Sequence, residues 1–221
     1  VPGIDTGLCD TVTEPNGERT FLTAAGAETT LTAAQLTVAL PEPGDVVYVS
    51  GYDLAYPSGP LLGAWAAALP RSITLVFDPG PLVGEIPPDL LAAVAGRSDV
   101  LTLNERESVI LGGQPGVIAL ASANAVVLLR SGPDGCLVVT PDDDAPGGRA
   151  RTPVPAPLVT TLDSTGAGDA HAGTLIAELL RDTPILEAVR RANAAAAITV
   201  TRSGPATSPT RSELDAFLSQ L

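Results

Sequence analysis

The 221-residue sequence has no lysine, no methionine, one histidine and two cysteines. All 12 basic side chains are arginine, and they are scattered among 25 acidic ones for a net charge of −13. The chain therefore lacks the clustered cationic patch that binding a phosphate backbone requires, and nucleic acid is not an expected partner. No apolar run approaches the roughly 18 residues of a membrane span, so a soluble protein with no membrane partner is expected. Cys9 and Cys136 stand far apart with no second pair. That fits ordinary buried, reduced thiols in a cytoplasmic protein better than a disulfide framework. With Met absent and Val at position 1, a missing front segment is expected, and no signal-peptide pattern is visible.

Enough apolar sequence is present for one large α/β domain, or for a core with a small appendage. Runs of strand length recur at Val46–Ser50, Ile73–Phe77, Val100–Leu103, Val126–Leu129 and Leu137–Thr140. Helical patterns fall at Leu61–Leu69, Pro88–Ala95, Ala170–Leu180 and Ile185–Val200. This alternation predicts a mainly parallel sheet with helices on both faces and ligands at the carboxyl ends of the strands. The opening is different. β-prone runs at residues 7–14 and 18–24 flank Pro15-Asn16-Gly17, a hairpin signal, so the chain is expected to begin inside a partial β lid with preceding strands missing. The tract Pro141–Pro157, with Asp142, Asp143 and Asp144, reads as an exposed loop, and its three aspartates as a solvated turn in preference to a metal site.

The chemistry concentrates in Asp163-Ser164-Thr165-Gly166-Ala167-Gly168-Asp169, which stands directly before a helical pattern. Small residues at a helix start let backbone N–H groups converge on an anion. Two common phosphate motifs are excluded: a third Gly of G-x-G-x-x-G would fall on His171, and a P-loop needs a lysine. Asp169 at the start of the helix has two readings, a base for an alcohol next to the phosphate or a charge serving the helix dipole. Asn104 and Glu107, three apart after a strand, read from the residues alone as a reciprocal helix cap. Asp78, between a strand and Pro79, is either a turn former or an assistant to the phosphate site. The turn Arg130–Gly135 reads from the residues alone as a plain hairpin, and His171 reads as a packing residue on its helix.

These motifs resemble the ribokinase-like (PfkB-type) carbohydrate kinases. Asp163–Asp169 with Ala170-His171-Ala172-Gly173 looks like the family signature. Gly17–Thr20 with Gly26–Glu28, Asp78-Pro79, Asn104–Glu107, Arg130–Gly135 and Arg191–Asn193 through Thr201–Gly204 have counterparts in the same order. The resemblance implies a ribokinase-like fold with a lid over 1–28 and a nucleotide-binding core over 29–221. It implies ATP and Mg²⁺, with Asp169 as the base and Gly166, Ala167 and Gly168 joining it as backbone donors to the migrating phosphoryl group. By the same resemblance Asn104 and Glu107 hold Mg²⁺, and Asn104, Arg130, Gly132, Gly135 and Asn193 lie against the nucleotide. Gly51 and Tyr52 line the sugar pocket. Asp163, Thr165, Thr199, Arg202, Gly204 and Ser208 belong to a monovalent-cation loop for K⁺.

His171 departs from the aromatic, usually Phe, that is common at its position, and Thr174 from Ala or Gly. The family's amino-terminal Gly-Gly segment has no counterpart. The expected activity is transfer of the γ-phosphate of ATP to a hydroxymethyl group of a sugar or related alcohol. A nucleoside kinase of the same family and a non-catalytic nucleotide-binding regulator are the rivals. A homodimer formed through lid edges is expected.

Overall fold

The computed structural model describes residues 3–13 and 19–221. In chain order the strands are β1 (Leu8–Thr13), β2 (Arg19–Ala24), β3 (Val46–Ser50), β4 (Thr74–Asp78), β5 (Val100–Asn104), β6 (Val126–Arg130), β7 (Cys136–Pro141) and β8 (Arg149–Val154). The helices are α1 (Ala33–Leu36), α2 (Gly51–Ala55), α3 (Gly59–Ala67), α4 (Pro88–Arg97), α5 (Glu105–Ile110), α6 (Gly113–Leu120), α7 (Ala167–Leu179), α8 (Ile185–Val200) and α9 (Arg211–Leu218). β1 and β2 form an antiparallel ribbon, Leu8 opposite Ala24 and Val12 opposite Thr20. Its Pro15-Asn16-Gly17 turn lies outside the described residues. Glu28 ties the base of the ribbon together by accepting from the N–H groups of Gly7 (2.9 Å) and Gly26 (2.7 Å).

β3 to β8 form a six-stranded sheet in sequence order. β3 through β6 are parallel, and β7 and β8 are added antiparallel. The pleat sends successive side chains to opposite faces. Leu75 and Phe77, Leu101 and Leu103, and Val127 and Leu129 pack with Leu54, Ala66, Leu91, Val94 and Val117 of α2, α3, α4 and α6. Val76, Val100, Leu128 and Val138 pack against Leu175, Ala188, Val189 and Ala192 of α7 and α8. Both faces of the sheet are thus covered, which is why its strands are apolar nearly throughout. Among the described residues no helix is long and apolar enough to cross a membrane.

The sequence reading needs two corrections. The Pro141–Pro157 tract is not all loop, because β8 occupies Arg149–Val154 at the sheet edge. It is held there by a ladder to β7, by buried Val154, and by buried Arg149, whose guanidinium donates to the carbonyls of Ala125 (2.5 Å) and Ser122 (2.6 Å). The aspartates do form a turn, with Asp144 N donating to Asp142 Oδ1 at 3.0 Å. Second, only Cys136 is buried. Cys9 is exposed because a two-stranded ribbon has no interior, and its Sγ accepts from Thr23 Oγ1 at 3.4 Å.

Candidate functional site

The pleat and the parallel register together assemble the site. Ser50 pairs with Asp78 at the ends of β3 and β4, and Asn104 with Arg130 at the ends of β5 and β6. Each follows a residue that points toward α2–α6 (Val49, Phe77, Leu103, Leu129), so each faces the other side, where α7 begins. These four polar residues end apolar strands because the sheet stops there and a cleft opens. The cleft is a cavity of about 780 Å³, within the usual range for a small-molecule site.

Asn104 and Glu107 form the reciprocal cap that the residues alone indicate. Asn104 Oδ1 accepts from Glu107 N (2.9 Å), and Glu107 Oε2 accepts from Asn104 N (2.8 Å). A further bond runs from Asn104 Nδ2 to Glu107 Oε1 at 2.6 Å. The same two side chains line the cavity, so cap and site are one arrangement. Arg130 Nη2 donates to Asp78 Oδ2 at 2.9 Å and lies 3.7 Å from Glu107 Oε2. Burial pushes both carboxyls above their usual range, opposed by Arg130 and by the N–H groups of Gly80 at Asp78 and of Asn104 at Glu107. Burial, then Asp78, also raises the Tyr48 phenol.

α7 starts beside Arg130, whose Nη1 would lie 3.2 Å from a β-carbon on Gly168. Gly166 caps it at φ 77°, and a β-carbon there would lie 2.2 Å from the carbonyl oxygen of Pro205, so both the backbone and the space demand glycine. Asp163 orders the turn: Oδ1 accepts from Thr165 N (2.9 Å) and Oγ1 (2.6 Å), and Oδ2 from Gly204 N (3.0 Å). Helix geometry leaves the first-turn N–H groups without intrahelical acceptors. Ala167 N uses Ser164 O at 3.4 Å, while Gly168 and Asp169 stand at the cavity wall with Asp169 exposed to it.

The far wall is apolar, from Ala196, Ala197 and Val200 of α8 and the 156–159 segment. Asn193 is held there by donating Nδ2 to Val154 O (2.9 Å) and Pro155 O (3.4 Å). His171 lines the cavity from behind at 3% exposure, as its packing reading requires. Neither ring nitrogen has a hydrogen-bond partner among the described residues, and burial, then Arg130, push its pKa down to about 3.

Of the site residues expected from the sequence, the cavity gathers Tyr52, Asn104, Glu107, Arg130, Gly132, Gly135, Ala167, Gly168, Asp169 and Asn193. Gly166 stands behind it. Gly51 does not line it: this glycine is buried, and a β-carbon would meet Pro79 O at 1.8 Å, so its role is a close backbone approach. Asp163, Thr165, Thr199, Arg202, Gly204 and Ser208 lie outside the lining and mostly serve each other's loop. Arg202 Nη1 donates to Thr207 O (3.1 Å), and Thr207 Oγ1 to Thr199 O and Gly204 O (3.3 Å each). Among the described residues no group of three or more His, Cys, Asp or Glu forms a ready metal cage. The sequence reading missed Tyr48. Its signal was the period of two that places it on the same face as Ser50.

This architecture is the ribokinase-like α/β fold. Ribokinase from Thermotoga maritima superposes with a TM-score of 0.76 at 24% identity, covering 98% of this chain and 70% of that one. A fructokinase from Vibrio cholerae O395, solved with fructose, ADP and calcium ion bound, gives a TM-score of 0.76 at 26% identity over 95% of this chain and 73% of its own. The chain matches the pfkB family carbohydrate kinase over residues 1–211, and it belongs to that family. It is 35% identical over 222 residues to the uncharacterized sugar kinase YegV of Escherichia coli (strain K12), covering 95% of this chain and 66% of that protein. To the ATP-dependent ribose-1-phosphate kinase of Halopiger xanaduensis it is 34% identical over 161 residues, 70% of this chain and 51% of that protein.

Proposed function

We propose that the protein carrying this chain is an ATP-dependent carbohydrate kinase that moves the γ-phosphoryl group to a hydroxymethyl group of a sugar. The observation behind this reading is the opening turn of α7, whose Gly168 and Asp169 line the same cavity as Asn104, Glu107 and Arg130. The acceptor oxygen forms a bond to the γ-phosphorus as the bond to the β,γ-bridging oxygen breaks. The hydroxyl proton passes to the Asp169 carboxylate and ADP leaves. Because phosphoryl transfer is loose, most of the acceleration is positioning and neutralisation of charge, and the base takes its proton late. In this reading Gly166, Ala167, Gly168 and Asp169 form the anion turn at the helix start. The Gly132–Gly135 turn and Asn193 border the nucleotide, and Tyr52 borders the sugar.

The residues fit a divalent cation by charge. Asp78, Glu107 and Asp169 are set against one guanidinium, Arg130, so the cavity lining carries excess negative charge toward an anionic nucleotide. Mg²⁺ would be held through its water shell near Asn104 and Glu107, and when bound it supplies neutralisation of the phosphate charge. The 199–208 loop is the place for K⁺; a double mutant of the V. cholerae fructokinase was solved with potassium ion bound. Residues 1–28 serve as a lid, with the apolar face formed by Leu8, Val12 and Leu22 as a contact between two copies.

The test is Asp169→Asn in the intact protein with a panel of sugars and nucleosides as acceptors. Turnover is expected to fall by at least 10³-fold while ADP affinity changes less than 3-fold. Turnover retained within 10-fold removes Asp169 as the base. ATP hydrolysis or transfer to no alcohol at all in the wild type removes the kinase reading.

A further inference from the structure

The last residues of β4 and β6 are not neighbours in the sheet, since β5 runs between them. Their side chains nevertheless meet at the mouth of the cleft, with Arg130 Nη2 2.9 Å from Asp78 Oδ2, and both side chains are largely buried. Asp78 is itself fixed, because its other oxygen accepts from Gly80 N at 3.0 Å. The other arm of the guanidinium borders the anion turn: a β-carbon on Gly168 would lie 3.2 Å from Arg130 Nη1. Arg130 Nε is buried and has no hydrogen-bond partner among the described residues. A guanidinium has five donors in a rigid fork, and here one arm is anchored to a carboxylate while the other lies beside the turn. Left without Asp78, that fork would be drawn to the nearest remaining carboxylate, Glu107, 3.7 Å away.

We propose that Asp78 is a positioning residue that holds the Arg130 guanidinium against the Gly168 turn, and that this pair makes the site discriminate nucleotides by the number of their phosphates. The proposal rests on the anion-turn reading given above. A merely structural ion pair that stitches β4 to β6 would, if broken, loosen the whole cleft and weaken every nucleotide alike. A positioning pair is felt only by a nucleotide whose phosphate chain reaches the turn.

The test is titration calorimetry of the intact protein with a β,γ-methylene analogue of ATP and with ADP in the presence of Mg²⁺, alongside thermal unfolding. Asp78→Asn is expected to weaken the analogue at least 10-fold and ADP less than 2-fold. Arg130→Gln is expected to do the same, and adding Asp78→Asn to it should cost less than a further 2-fold, because the anchored group is already gone. Equal weakening of the analogue and ADP by Asp78→Asn, or no weakening of either, overturns the proposal while leaving the kinase reading intact. Absence of nucleotide binding in the wild type overturns both. Should Asp78→Asn fail to fold, Arg130→Lys keeps the charge and loses the fork. It is expected to shift the analogue-to-ADP affinity ratio at least 5-fold, and an unchanged ratio overturns the proposal.

Discussion

Replacing His171 by Phe removes the one buried polar ring in α7 and gives a measurable pH signature. In the fold the imidazole is neutral, since burial and the adjacent Arg130 push its pKa from 6.5 down to about 3. Asn193 is the only neighbour that favours the protonated ring, and it does so without reaching hydrogen-bond geometry with either nitrogen. Once unfolded, the ring takes up a proton below pH 6.5. The unfolded state therefore binds more protons between pH 6.5 and 3, so this group's contribution is fully present above pH 6.5 and is lost as the pH falls toward 3. At pH 5 the loss is about 1.5 pH units at 1.4 kcal/mol each, or ~2 kcal/mol, which corresponds to a Tm lower by about 4–8 °C for a chain of this size. Urea unfolding followed by the fluorescence of Trp65, the single tryptophan, at pH 7.5 and pH 5.0 reads this directly. Other carboxylates titrate in the same window, so the decisive quantity is the difference between proteins: wild type should lose ~2 kcal/mol more than His171→Phe on acidification. Parallel losses in the two would refute the reasoning and show that the ring acquires a proton in the folded state.

Further outcomes follow from the same geometry. Gly166→Ala forces a side chain into a left-handed cap against Pro205, and is expected to lower stability by about 2 kcal/mol in thermal unfolding and to reduce turnover more than it reduces AMP affinity. Glu107→Gln keeps an acceptor for the Asn104 N–H and removes the charge. The Mg²⁺ concentration for half-maximal turnover should rise several-fold while the Tm moves by only a few degrees; an unchanged Mg²⁺ requirement would take Glu107 out of metal binding. Changing both Leu8 and Leu22 to Ser is expected to convert a dimer to a monomer in sedimentation, and a monomeric wild type would remove the lid-to-lid contact.

Apolar periodicity made the central layers legible. Ile185–Val200 coincides with α8, the five expected strands are found within about a residue of their positions, and the two β-prone runs at the start pair with each other. β8 escaped because Arg-Ala-Arg-Thr-Pro-Val has no apolar alternation; its place is set by partners distant in sequence, Ser122, Ala125 and the β7 ladder. α6 and α9 were missed because short helices with few core contacts leave little period to read. At the site, Asn104 and Glu107 were legible as a pair because their cap is local. The contact of Asp78 with Arg130 spans 52 positions and depends on strand order, which single-sequence patterns do not encode. Gly51 was misplaced for a related reason: the sequence marks a glycine where it is needed, but not whether the neighbour it admits is a ligand or, as here, Pro79.

The fit of Gly166 against Pro205 has a mechanical corollary. With no side chain between them, the first peptide of α7 and the segment around 201–210 have no slack, and Asp163 clasps Gly204 on the adjoining side. A side chain at Gly166 would therefore pry the helix start away from that segment, and the two are expected to loosen together under denaturant.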